Sequence, residues 1–181
     1  MHSLLQCPTA QTTLNSPMPV DRPPPWPNIK VNFDGACFQD QNIVGAAAVI
    51  RDINGLILAS MVDRFLLPHS IVAVELVAAI KALKLAIKLG HNSITLEGDS
   101  KIAIDAMRSG LPSLVDYGHL LEKVKILAGG FATVEFSFVP RQCNTLAHKI
   151  ARHARHVSKY IVWIEDVSPL LSNVILATMA P

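Results

Sequence analysis

Three strand-like runs open the ordered part of this chain, and the connection between the second and third is too short for anything but antiparallel pairing. The runs span residues 29–37, 44–51 and 56–65 and are rich in β-branched and small apolar residues. Asn54-Gly55, between the last two, is a hairpin signal because both residue types tolerate the positive φ of a tight turn. After Phe65 the periodicity changes. Pro68-His69-Ser70 opens a helical segment that continues to Leu89, with Gly90 at its stop. A short strand follows at 93–97, then helical segments at 101–108 and 116–127, and a break at Gly129-Gly130. A fifth strand covers 133–139, and Asn144 caps a last helix that reaches His156. A three-strand meander followed by strands separated by helices gives an α/β fold. The sheet is five-stranded and mixed, three antiparallel strands then two parallel, flanked by helices.

Half of the 181 residues are hydrophobic, enough for one sizeable core with tails. No uninterrupted apolar run reaches the roughly 18 residues of a membrane span, so no membrane partner is expected. A net charge of +2 does not by itself point to nucleic acid; a basic patch has to be local. Cys7, Cys37 and Cys143 are scattered, odd in number and without CxxC spacing. They read as free thiols of a reducing compartment, neither a disulfide frame nor a zinc site, in keeping with an intracellular protein whose compartment, nuclear or cytoplasmic, the sequence does not give. Residues 1–27, with Pro19, Pro23, Pro24, Pro25 and Pro27, read as a stiff leader or linker. Residues 28–160 form the domain. Residues 161–181 form a tail in which Ser168-Pro169 starts a short helix that packs on the domain. The chain is expected to be a monomer.

Three acids sit within or at the ends of these apolar elements. Asp34 interrupts the first strand, Glu75 lies in the first turns of the long helix, and Asp99 closes the fourth strand. Acids in such places are costly to desolvate, and shared divalent metal ions are the simplest common reason for three of them. Singly, each has an ordinary explanation: an Asp-Gly turn, a first-turn acid favoured by the helix dipole, and an N-cap. On the long helix, Leu76, Ile80, Leu83 and Ile87 form a core stripe. Lys81, Lys84 and Lys88 centre roughly 150° from Glu75 and read as a solvated face. On the last helix His148, Arg152 and Arg155 repeat at helical spacing and share one face.

Four motifs in order carry a family resemblance: Asn32-Phe33-Asp34-Gly35-Ala36, Val74-Glu75-Leu76, Glu97-Gly98-Asp99-Ser100, and 139–148, which reads Val-Pro-Arg-Gln-Cys-Asn-Thr-Leu-Ala-His. Over residues 28–160 the chain resembles a type 1 ribonuclease H domain. More closely, it resembles the plant reverse-transcriptase-like version found at the ends of non-LTR retroelements and as free-standing copies. The resemblance implies a ribonuclease H-like fold and an endonuclease that cuts the RNA strand of RNA–DNA hybrids. It implies two Mg²⁺ ions, with Mn²⁺ a possible substitute, and no small-molecule cofactor. Asp34, Glu75 and Asp99 match the first three metal-holding, catalytic acids of that family. The fourth belongs to the pattern Asn-x-x-Ala-Asp; here Asn144 and Ala147 are in place and His148 follows. Imidazole suits softer ions such as Mn²⁺ better than it suits Mg²⁺. His148 is therefore read as a modified metal ligand, or as the mark of a nucleic-acid-binding domain that has lost turnover. Expected contacts to nucleic acid are the backbone at Gly35, Ala36 and Cys37, the side chains of Ser100 and Asn144, and Arg152 and Arg155 along the phosphates.

Overall fold

The first strand sorts its own side chains. In β1 (Ile29–Phe38), Val31 and Phe33 enter one buried cluster, while Ala36 and Phe38 enter a second on the opposite side of the sheet. This is the period-2 alternation of a strand covered on both faces. The computed structural model describes residues 29–110 and 116–165. The proline-rich leader and the helix expected after Ser168 lie outside the described residues.

β1 pairs antiparallel with β2 (Ile43–Arg51), and β2 with β3 (Ile57–Leu66). On its other side β1 pairs in parallel with β4 (Ser93–Gly98), and β4 in parallel with β5 (Thr133–Phe138). The mixed sheet is as expected, but it has six strands, ordered β5-β4-β1-β2-β3-β6. The added strand, β6 (Ile161–Ile164), lies in the stretch assigned to the tail and pairs antiparallel with β3. Four residues are too few for periodicity to declare a strand; pairing with the free edge of β3 makes it one. The second hairpin also differs. Its connection runs from Asp52 to Leu56, and the Asp52 carboxylate accepts from Asn54 N and Leu56 N, each at 2.8 Å. Gly55 takes the positive φ, 81°.

Helices α1 (Ile71–Lys88), α2 (Lys101–Ser109) and α3 (Gly118–Ala128) cover one face, and α4 (Thr145–His153) the other. α1 starts where Ser70 Oγ accepts from Ala73 N at 3.1 Å. It ends at Gly90, whose φ of 77° lets His91 N reach back to Ala86 O. Leu76, Ile80 and Leu83 are buried as expected, but Ile87 is 41 % exposed. Alanines 73, 78, 79, 82 and 86 are buried too, so the helix is enclosed around most of its girth rather than along one stripe. Lys81 leaves the solvated face expected for it: it pairs with Asp63 of β3 and lies 5.4 Å from the Phe65 ring centre. The last helix tightens at its end into a 3₁₀ turn, Ala154–His156. Cys37 is an exposed free thiol, whereas Cys143 is disulfide-bonded, which departs from the expectation of free thiols throughout. Among the described residues no helix is long and apolar enough to cross a membrane.

The seating of α4 depends on Gly45. A Cβ there would run into the carbonyl oxygen of Ala151 and the Cβ of Ala154. The clash is with backbone, which cannot rotate away. We expect Gly45→Ala to destabilise the domain by about 2–3 kcal/mol, the usual cost of overpacking, read from the midpoint of urea unfolding. A change below about 0.5 kcal/mol, the range of neutral surface substitutions, would mean that α4 is not held this closely.

Candidate active site

β1 and β4 stay paired only as far as Asn32 and Glu97. Two residues beyond each partner stand Asp34 and Asp99, at the carboxyl end of the central parallel pair, where sheets of this kind gather ligands. Glu75 reaches them from the first turns of α1. The helix comes close because β1 carries Gly35 beneath it; a Cβ there would lie 2.5 Å from Val74 Cγ1. One donor atom from each of Asp34, Glu75 and Asp99 falls within 4.8 Å of the others.

These acids are desolvated. Asp34 is 0 % and Glu75 6 % exposed. Burial, then the charges of Glu75 and Asp99, push the Asp34 carboxyl up to about 9. Burial, then Asp99, pushes Glu75 up to about 8. The Arg141 charge opposes the rise at both. Asp34 Oδ1 and Glu75 Oε2 are buried with no hydrogen-bond partner. Hard oxygen donors, convergent and unpartnered, fit a divalent cation such as Mg²⁺.

The structure brings His148 to the same place. Its Nδ1 lies 2.8 Å from Asp34 Oδ2. Burial first, then the charge of Arg141, hold its pKa below the ordinary value. It contacts one acid and is not in the set of three whose donors all converge. Arg152, one turn further along α4, is exposed, and its charge also reaches His148. Arg155 is turned to β1 instead, 3.6 Å from Asp40 and stacked at 4.7 Å over the Phe38 ring. Ser100 caps α2, accepting from Ala103 N at 3.4 Å. Asn144 occupies the N-cap position of α4 without a side-chain cap; its amide donates instead to Phe33 O at 2.8 Å. Ala36 is buried, and the Cys37 thiol is pushed up by burial and by the charges of Glu75 and Asp34.

Two features escaped sequence reasoning. Arg141 Nε lies 2.9 Å from Asp99 Oδ2. Beneath the acids, Glu97 accepts from Asn32 Nδ2 at 3.0 Å and pairs with Lys30 at 3.5 Å, so it is held apart from the cluster. The position of Arg141, eight residues beyond the start of β5, was visible; its partner was not, because the pairing spans two elements.

A six-stranded mixed sheet with helices on both faces and acids at the carboxyl end of its central parallel pair defines a domain of the ribonuclease H type. The chain belongs to the reverse transcriptase-like family, which matches residues 32–154. It is similar to ribonuclease H1 from the archaeon Halobacterium salinarum, at 25% identity and a TM-score of 0.65 over 71% of this chain and 98% of that one. The N-terminal ribonuclease H domain of a Mycobacterium tuberculosis protein is similar at 23% identity and TM-score 0.64, over 71% of this chain and 94% of the other. LC11 ribonuclease H1, solved in complex with an RNA/DNA hybrid, gives 18% and 0.62 over 70% and 96%. No curated protein matches the chain.

The raised carboxyls set the sign of a pH effect. Unfolded, Asp34 and Glu75 titrate near 3.8 and 4.5; folded, near 9 and 8. Between those limits the folded state binds more protons, so stability is highest below the unfolded values and is lost as pH rises through the folded ones. With chelator present, the thermal midpoint of the wild type should fall between pH 5 and pH 8, and Asp34→Asn should remove much of that fall. Superimposable profiles for the two proteins would contradict the shared, desolvated cluster.

Proposed function

We propose that the domain is a metal-dependent endonuclease that hydrolyses the RNA strand of RNA–DNA hybrids. The observation that carries this reading is the convergence of Asp34, Glu75 and Asp99 within 4.8 Å, with two of their buried oxygens unpartnered. Membership of the reverse transcriptase-like family supports it, as does the likeness to a ribonuclease H1 that was crystallised on a hybrid. Asp34, Glu75 and Asp99 would hold two Mg²⁺ ions, or Mn²⁺, with His148 at the fourth position. When bound, such ions supply Lewis-acid chemistry that activates a water and stabilises the leaving oxygen.

The side chains divide the remaining work. Burial and the hydrogen bond shared with His148 fix the orientation of Asp34. The rigid first turns of α1 fix Glu75. The backbone at Gly35, Ala36 and Cys37 and the Ser100 hydroxyl, which adjoin Asp34 and Asp99 in the chain, and the exposed Arg152, one turn beyond His148, would meet the nucleic acid, Arg152 through phosphate. Asn144, turned to Phe33, serves by holding β1 to α4. We read the chain as a monomer of the kind carried by plant non-LTR retroelements. Its domain extends through β6.

Asp34→Asn should abolish cleavage of a labelled hybrid while far-UV circular dichroism stays that of the wild type. Loss of an outer partner of a metal ligand costs 10–100-fold, so loss of the ligand itself should cost about a hundredfold or more. Metal-dependent cleavage that survives in this variant would exclude the mechanism.

The His148–Asp34 hydrogen bond favours a second reading, in which the domain binds nucleic acid with little turnover because an imidazole stands where a hard ligand is needed. His148→Asp restores an oxygen donor and one negative charge. In Mg²⁺ it should speed hybrid cleavage by roughly tenfold, equivalent to about 1.4 kcal/mol of barrier, and should lower the ratio of Mn²⁺ to Mg²⁺ rates. Equal rates and equal ratios for variant and parent would show that residue 148 does not act on the metals.

A further inference from the structure

We propose that Arg141 is a built-in cation of the acid cluster that holds Asp99 while the site is free of metal and competes with divalent ions for it. This rests on the reading of Asp34, Glu75 and Asp99 as a metal site.

The geometry gives Arg141 both a fixed base and a free end. Val139 N donates to Gly98 O at 3.0 Å, tying the incoming segment to the residue before Asp99. Asn144 N donates to Arg141 O at 3.0 Å, closing the 3₁₀ turn Arg141–Cys143. The side chain beyond this anchor is 67 % exposed, while the Asp99 side chain it grips is only 3 % exposed. The guanidinium therefore approaches Asp99 from the solvent side and can swing away without disturbing the fold. Its contact uses Nε on Oδ2 of Asp99, one of the three acids whose donor atoms converge. Its charge also bears on Asp34 and Glu75.

A divalent ion entering this site meets a positive charge already in place. It must take Asp99 from the guanidinium or bind beside it against repulsion, and either route weakens metal affinity. A monovalent ion gains half as much from three carboxylates and is less able to displace the arginine. Arg141 thus sets the metal concentration at which the cluster fills and biases it toward doubly charged ions.

The test is calorimetric titration of the full chain with MgCl₂ and with MnCl₂, for the wild type, Arg141→Gln, Arg141→Lys and Asp99→Asn. Because Arg141 is exposed, the first two variants should fold as the wild type does, which their unfolding midpoints in chelator will show. Arg141→Gln should bind Mg²⁺ about three- to tenfold more tightly, a range set by one partly screened unit charge at close distance. Arg141→Lys, which keeps the charge and loses the planar fork, should fall between. Equal or weaker binding by Arg141→Gln overturns the proposal while leaving the metal site standing. Absence of binding in both the wild type and Arg141→Gln, or binding by Asp99→Asn at wild-type affinity, removes the metal-site reading and this inference with it.

Discussion

Parallel strands β1 and β4 share their ladder only as far as Asn32 and Glu97, and two strands that part inside a protein must satisfy the freed backbone groups by other means. On β1 the carbonyl of Phe33 takes the amide of Asn144; on β4 the carbonyl of Gly98 takes the backbone N–H of Val139, where the β4–β5 ladder ends. The first bond brings the start of α4 to the fork; the second brings the segment after β5. His148 and Arg141 ride on those two segments and so arrive beside Asp34 and Asp99. The chemistry at the site is a consequence of where two strands separate.

The fork also explains why the site is electrostatically tense. Opening the sheet makes room for carboxylates but gives them little water, and burial is the largest cause of the rise at both Asp34 and Glu75. The fold keeps one further acid out of this conflict. Glu97 sits one layer below, held by Asn32 and Lys30, so its charge is answered where it stands. Tension confined to three side chains is a local cost that the rest of the core can carry. That core is ample: Phe33, Leu76, Leu83, Ile94, Leu96 and Ile104 are fully buried on the α1 side.

Much of this was legible in sequence, for particular reasons. Asp34, Glu75 and Asp99 stood out because a carboxylate beside an apolar run is a contradiction that needs a cause. Gly90 marked the end of α1 because its φ of 77° suits glycine. His148 was placed by the frame of Asn144 and Ala147 on one helix. What stayed hidden depended on neighbours distant in sequence. β6 is a strand because β3 has an edge to offer. Asn144 has the chemistry of a cap, but its amide is drawn 111 residues away to Phe33. Lys81 was read as a solvated charge and Arg155 as a phosphate contact, yet each found an acid and an aromatic ring on the adjoining strand or the turn beyond it.

The close seating of α4 on Gly45 has an evolutionary side. With Ala151 and Ala154 pressed against a residue that has no side chain, the helix cannot slide to suit whatever stands at position 148. A substitution there would change the side chain but not its location. Histidine and aspartate codons differ by a single base, so a lineage carrying this scaffold is one mutational step from an acid aimed at Asp34, with no second substitution needed to reposition it. The helix acts as a fixed socket in which the side chain facing Asp34 can be exchanged by a change at one codon alone.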